Sequence, residues 1–347
     1  LAYSLDPDKY EVQAFGDGLI NQTYKVQEKT SNSNFLLQQI NTSIFKKPEE
    51  IALNIKNIAA YLHSNHPSYL LPVPLQTIHG NELYIDEQHN YFRLFPFIEN
   101  SHSINRASTE NQAYQASQQF GLFTKLLSGF NSQSLKATIP NFHNLTLRYH
   151  QFLDALVNGN NRRIKDAQKE IEYLKSLQSL TETYDMITRH PDFKQRVMHH
   201  DTKISNVLFD NSSKAICIVD LDTVMPGYFI SDTGDIFRTY LSPVDEEEAD
   251  LDKIQIRTSF FKAIVEGYLS EMKDELSETE KQYFLYAGKF MIYMQALRFI
   301  ADYLNNDIYY GARYEGHNLV RGKNQVVLLQ KFIEKEEELQ NIMLQLL

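Results

Sequence analysis

The stretch His199-His200-Asp201-Thr202-Lys203-Ile204-Ser205-Asn206, with Ile218-Val219-Asp220-Leu221-Asp222 a little downstream, decides how this chain is read. The first segment has the form H-x-D-x-x-x-x-N, and Asp220 follows Asp201 by nineteen residues. A short loop can present an Asp and an Asn five residues apart to one point. A buried strand, here residues 215–219, can deliver a second Asp to the same point.

Upstream of this pair, the first hundred residues read as strands with one helix. Residues 10–15, 22–27, 34–40, 82–86 and 91–97 are short, rich in β-formers and separated by Gly, Asn and Ser. Residues 48–66 have helical spacing, with Ile51, Ile55, Ile58, Ala59 and Leu62 on one face and Pro48 in the first turn. After Asn100 the pattern becomes helical: 109–127, 145–157, 162–180, 245–271, 278–304 and 318–347, interrupted by short strands at 197–199 and 215–219. Phe290, Met294, Leu297, Ala301 and Leu304 predict an amphipathic stripe, and the acidic run 245–252 predicts a solvated helix start. The expectation is an α+β protein with two lobes, residues 1–99 and 100–347.

The 347 residues, 42% of them hydrophobic, suffice for a sizeable core. A formal net charge of -10 argues against nucleic acid or an anionic membrane as partner. No segment has the apolar length of a membrane span. The single cysteine, Cys217, suits a reducing cytoplasm and can form neither an intrachain disulfide nor a Cys-rich metal site. Residues 1–10 lack the basic stretch and apolar run of a signal peptide.

The paired motifs resemble the catalytic loop and metal-binding Asp of the protein-kinase-like fold, and more closely its aminoglycoside-phosphotransferase and choline-kinase branch. The resemblance implies a small antiparallel-sheet N-lobe, a larger helical C-lobe, and ATP and Mg2+ as cofactors. Phosphoryl transfer needs a carboxylate to orient and deprotonate the attacking hydroxyl, and oxygens to hold Mg2+ on the phosphates. By resemblance Asp201 is the base, Asn206 and Asp220 are metal ligands, Asp222 is a further metal or water ligand, and His199 is structural. Lys203 stands where protein kinases place a Lys near the transferred phosphoryl group. Gly16-Asp17-Gly18-Leu19-Ile20-Asn21 resembles a phosphate-covering loop, with Asn21 in place of the third Gly. Pro96, Phe97 and Ile98 look like the hinge that holds adenine. The usual phosphate-pairing Lys of the third strand is missing: residues 34–41 carry Gln38 and Gln39. Lys25, Arg93 or metal alone remain open as its replacement, and the helix partner of that Lys, Glu49 or Glu50, is open with it.

Several longer stretches resemble N-acetylhexosamine 1-kinases within that branch. They are residues 18–24, 37–41, 220–227 and 232–238, then Arg298-Phe299-Ile300-Ala301-Asp302-Tyr303-Leu304 and His317-Asn318-Leu319-Val320-Arg321. The resemblance implies a sugar acceptor phosphorylated on its anomeric hydroxyl. Sugars need polar groups of both signs and an aromatic wall. Asp235, Arg238, Arg298 and the tyrosines of residues 303–314 are the candidates. Arg298 and Asp302 also have the i,i+4 spacing of a simple helix pair. Asp232 is expected to support the catalytic loop. The expected protein is a monomer or homodimer acting on a small molecule in the cytoplasm. Aminoglycoside or choline/homoserine-type phosphotransferase, and an inactive kinase-fold binding protein, are the alternatives.

Overall fold

The computed structural model describes residues 2–16, 20–30 and 33–347. β1 (Tyr10–Ala14), β2 (Gln22–Glu28), β3 (Asn34–Ile40), β4 (Tyr84–Ile85) and β5 (Tyr91–Pro96) form one antiparallel sheet in the order β1-β2-β3-β5-β4. The expected strand at 82–86 shrinks to two exposed residues, Tyr84 and Ile85, at a sheet edge. Between β3 and β4 lies α1 (Pro48–Asn65), which buries Ile51, Ile55, Ile58 and Leu62. Its buried Asn54 accepts from the Lys136 amide at 2.8 Å and donates to the carbonyls of Lys136 at 2.9 Å and Val224 at 3.1 Å. One polar side chain therefore ties the sheet's helix to the helical part of the chain.

The chain leaves the sheet through residues 97–100 and enters β6 (Ser101–His102), which pairs with β8 (Val207–Asp210) and through it with β9 (Ala215–Ile218). A second small ribbon joins β7 (Arg196–Met198) to β10 (Met225–Gly227). Twelve helices in all are described. Those after α1 are α2 (Glu110–Leu126), α3 (Leu145–Asn158), α4 (Asn161–Asp166), α5 (Gln168–Ser176), α6 (Ser179–Arg189), α7 (Phe229–Tyr240), α8 (Thr258–Met272), α9 (Glu278–Lys281), α10 (Phe284–Leu304), α11 (His317–Glu334) and α12 (Glu336–Leu346). The class is α+β, with an antiparallel-sheet N-terminal part and a helical C-terminal part.

α10 is the axis of the helical part and packs against α3, α7 and α11. It is buried on nearly every side, not along one stripe, as a helix enclosed by neighbours must be. The helix expected at 162–180 is three helices ending at Arg189. Its breaks at Ala167 and Leu177 let Ile171, Leu174, Leu180 and Ile187 each reach the core. The helix expected from 245 starts only at Thr258. Residues 245–250 are held open because their acidic side chains are ion-pair partners: Asp245 for Arg106, Glu246 for Arg238 and Arg321, and Glu247 for His317. The run is a clamp, not a solvated helix start. The expected helix at 278–304 starts on a capping box of Ser277 and Glu280 and breaks after Lys281, and the one at 318–347 breaks at Lys335. Among the described residues no helix is long and apolar enough to cross a membrane.

Candidate active site

β7 ends in the segment 199–206, and α7 lies beneath it. Asp232 and Asp235 are one turn apart on α7, so both carboxylates face the loop. Asp232 accepts from the backbone amides of His199 at 2.9 Å and His200 at 2.8 Å, and Asp235 accepts from that of Thr202 at 2.9 Å. Tyr240 donates to the Thr202 carbonyl at 2.8 Å, and Thr223 to that of His199 at 2.7 Å. The backbone on both sides of Asp201 is thereby fixed by buried side chains. Burial pushes the Asp232 carboxyl up to about 7, against the two amides it accepts from.

His199 is fully buried, its ring edge-on to Phe120 at 5.2 Å, with Nε2 donating to the Val219 carbonyl at 3.0 Å. That bond joins the loop to the strand end carrying Asp220. His200 sits in the left-handed region, φ 63, and a Cβ at Gly227 would come within 2.5 Å of its Nε2. The close approach at the end of β10 therefore calls for glycine at 227.

Asp201 itself is partly exposed. Asn206 Nδ2 donates to its carbonyl at 2.9 Å and to Oδ2 at 3.1 Å, and Lys203 Nζ lies 3.5 Å from Oδ1. Burial raises its pKa, but Lys203, His199 and the Asn206 amide outweigh it, and the carboxyl is held below its ordinary value. An ionised carboxylate that can still be approached is what a base needs. Asp220 sits at φ 61, so its side chain turns back from the strand toward the loop. Asp220 keeps an exposed edge, yet desolvation by the atoms around it, then Asp222 and Asp201, pushes its carboxyl up to about 7. Asp222 and Asp201 lie near enough to Asp220 to act on it, with Arg93 and Lys203 among the charges that oppose them, and negative charge of this kind suits a divalent cation. Asp220 and the side-chain oxygen of Asn206 fit as its ligands.

Asp222 is 1% exposed and already engaged on both oxygens, by Arg93 Nη1 at 2.6 Å and Asn21 Nδ2 at 2.7 Å. Gly16 has φ 76, a left-handed conformation that favours glycine, and Gly18 lies outside the described residues. Phe15, Gly16, Asn21, Thr23 and Asn41 border a cavity of about 450 Å3. At the hinge, Phe97 packs edge-on to Phe15 at 5.8 Å, Pro96 pairs with Phe35, and the Ile98 carbonyl accepts from Ser101 at 2.6 Å. Glu50 pairs with Lys47 and Glu49 lies against Tyr91, so neither reaches Arg93.

Of the sugar-side candidates, Asp235 and Arg238 are buried beneath the loop. Arg238 is shared between Asp235 at 3.0 Å and Glu246 at 2.5 Å. Glu246 in turn holds Arg321, whose guanidinium lies 3.8 Å from the Phe299 ring centroid. Arg298 stands apart. It does not pair with Asp302, which instead accepts from the amides of Tyr309 at 2.7 Å and Tyr310 at 2.9 Å and so shapes the loop after α10. Arg298 donates to Gln295 at 3.1 Å and Tyr309 at 3.3 Å, and its guanidinium lies 5.3–5.6 Å from the rings of Tyr310, Phe142 and Tyr309. Phe142 stacks on His143 at 4.4 Å, and His143 lies 5.2 Å from His200, the residue before Asp201. Sequence reasoning missed Phe142, His143, Arg148 and Glu246. The first three belong to a loop and helix start with no motif of their own. Glu246 was hidden in an acidic run that reads as solvated.

The chain is similar in fold to several solved structures. A microcompartment-associated aminopropanol kinase superimposes with a TM-score of 0.63 at 17% identity, covering 100% of this chain and 97% of that one. An ethanolamine kinase of Plasmodium vivax gives 0.58 at 14%, covering 96% and 86%. A spectinomycin phosphotransferase bound to AMP gives 0.58 at 14%, covering 97% and 96%. At such identities the likeness is one of fold. The family model described as the phosphotransferase enzyme family, APH, matches residues 11–269, three quarters of the chain and all of the loop from His199 to Asp222. With the Asp201–Asn206–Asp220 cluster assembled at the foot of the sheet, the chain belongs to the aminoglycoside phosphotransferase and choline kinase-like family of small-molecule phosphotransferases.

Proposed function

We propose that this protein transfers the γ-phosphoryl group of ATP to the anomeric hydroxyl of an N-acetylhexosamine, GlcNAc or GalNAc. Asp201 accepts the proton of the attacking hydroxyl, the new bond joins that oxygen to the γ-phosphorus, and ADP leaves. Lys203, beside Asp201, balances charge on the transferred group. Mg2+ held by Asp220 and Asn206 would neutralise phosphate charge. Residues 1–99 form the nucleotide-side lobe on this reading, with the glycine turn over the phosphates and residues 96–98 at the adenine. Residues 100–347 carry the acceptor.

The observation that carries the acceptor class is the charge beside the aromatic wall. Among the described residues, neither Arg298 nor Arg148 has a carboxylate at ion-pair distance, and Arg148 Nε has no hydrogen-bond partner. Arg298 is among the causes that hold the Arg148 pKa down, after burial. Tyr309, Tyr310 and Phe142 could have formed a cage for a quaternary amine, but a guanidinium already faces all three rings. A second cation in that place would meet like charge. A neutral, oxygen-rich acceptor with a carbonyl to receive hydrogen bonds suits the same place, which favours the acetamido sugar over choline or an aminoglycoside. Asp235 and Arg238 act on this reading by shaping the pocket from below.

The test is ATP consumption with free GlcNAc and GalNAc, glucose, methyl N-acetylglucosaminide and choline. The free acetamido sugars should be used, glucose much less, because the groups meant for the acetamide are left unpaired. The glycoside and choline should not be used, and the product phosphorus should couple to the anomeric proton in NMR. Turnover of the glycoside or of choline would contradict the acceptor assignment.

A further inference from the structure

β3 carries no basic residue at any of its seven positions. Gln38 at its centre is the direct cross-strand partner of Arg93 on β5 and of Thr23 on β2. Directly paired residues project from the same face of a sheet. The side chains confirm it: Arg93 Nε donates to Gln38 Oε1 at 3.0 Å, and Gln38 Nε2 donates on to Thr23 Oγ1 at 3.1 Å. At the other end of this row Arg93 meets Asp222, which also holds Asn21 beside the glycine turn. Asn21 Oδ1 closes the chain by accepting from the Asn41 amide at 3.0 Å. Arg93 and Asp222 side chains are each 2% exposed. Among the described residues of the five-stranded sheet, Arg93 is the one buried basic side chain. Lys25, the other basic candidate, has its ammonium 4.5 Å from the Phe97 ring centroid, at the hinge end of β2.

A buried arginine next to Asp220, with one nitrogen on Gln38 and another on Asp222, has further donors in its fork. We propose that Arg93, carried on β5, supplies the phosphate-facing positive charge that the protein-kinase-like fold ordinarily carries on β3, and that Asp222 positions Arg93 and Asn21 instead of binding metal. The inference rests on the nucleotide-dependent reading above. It assigns Gln38 a part as well: with no charge of its own, it orients the guanidinium through Nε. The charge has moved one strand along the sheet while staying on the same face.

The test is calorimetric titration of ADP and of adenosine, with Mg2+, into the full chain and two variants. Asp222→Asn keeps the Arg93 charge and should keep the preference for ADP over adenosine. Arg93→Gln combined with Asp222→Asn leaves no buried charge unpaired, so it should fold, which thermal unfolding checks. In that double variant the ADP-to-adenosine affinity ratio should fall about ten- to a hundredfold below that of Asp222→Asn, the worth of a charged hydrogen bond, with adenosine affinity little changed. An equal ratio in the two variants would overturn the proposal, since a purely structural tie weakens both ligands together. Loss of the Mg2+ dependence of ADP affinity in Asp222→Asn would also overturn it, since Asp222 would then be holding the metal. A wild-type protein with no preference for ADP would defeat the nucleotide reading itself, a result distinct from either.

Discussion

The two halves of this site are built differently. The loop 199–206 is set on α7, and buried groups from Asp232, Asp235, Thr223 and Tyr240 take up its backbone amides and carbonyls. Polar links from the sheet and α1 to the helical part include Asn54 at the Lys136 and Val224 backbone, and Asn21 with Arg93 at Asp222. β1 is almost wholly exposed. The difference teaches where rigidity is needed. On the proposed reading, the base and its neighbours need placing to within fractions of an ångström, whereas a nucleotide side that admits and releases a cofactor does not.

Removing one member of an ion pair on each side would break or sharpen this contrast. Glu280, fully buried, accepts from both Nη atoms of Arg196 at 2.6 and 2.8 Å and from the amides of Lys194 and Ser277. Glu280→Ala strands Arg196 beside β7 and should cost about 3–5 kcal/mol in urea unfolding. In the sheet half, Lys56→Ala removes the ion pair with Glu82, whose lysine is 55% exposed, and should cost under about 1 kcal/mol. Equal losses would mean that the two halves do not differ as described.

A smaller effect separates the halves by pH. His200 is buried in the rigid half, and burial holds its pKa down to about 4. The unfolded chain then binds this proton below about pH 6.5 while the folded chain does not. The stability that the neutral imidazole contributes is present above that pH and is lost as pH falls toward 4. His200→Asn suits the left-handed backbone at this position. Between pH 6 and 4.5 its stability should fall less steeply than wild type, by about 1.4 kcal/mol per pH unit. An unchanged slope would show that His200 does not titrate as its burial implies.

Much of this was legible in the sequence, and the limits have physical causes. H-x-D-x-x-x-x-N and the Asp nineteen residues on could be read because contiguous loops encode their own geometry. The strands of the sheet and α1 showed through alternation and helical spacing. Asp222 reads as a metal or water ligand from the sequence, and nothing local reveals that Arg93, 129 positions earlier, lies against it. The acidic run at 245–252 read as a helix start because its partners Arg238 and Arg321 come from α7 and α11. The pairing of Arg298 with Asp302 failed for the same reason: each is claimed by the loop that follows α10. Pairings across the fold leave no periodicity to read.

The most direct measurement of the central claim, that Asp201 is the base of a phosphotransferase, is Asp201→Asn assayed two ways: turnover with ATP and N-acetylglucosamine, and ATP affinity by calorimetry. The amide keeps the shape and the contact to Asn206 but cannot accept the proton. Turnover should fall by about 10²–10⁴-fold with ATP affinity nearly unchanged, whereas near-normal turnover in the folded variant would contradict the account.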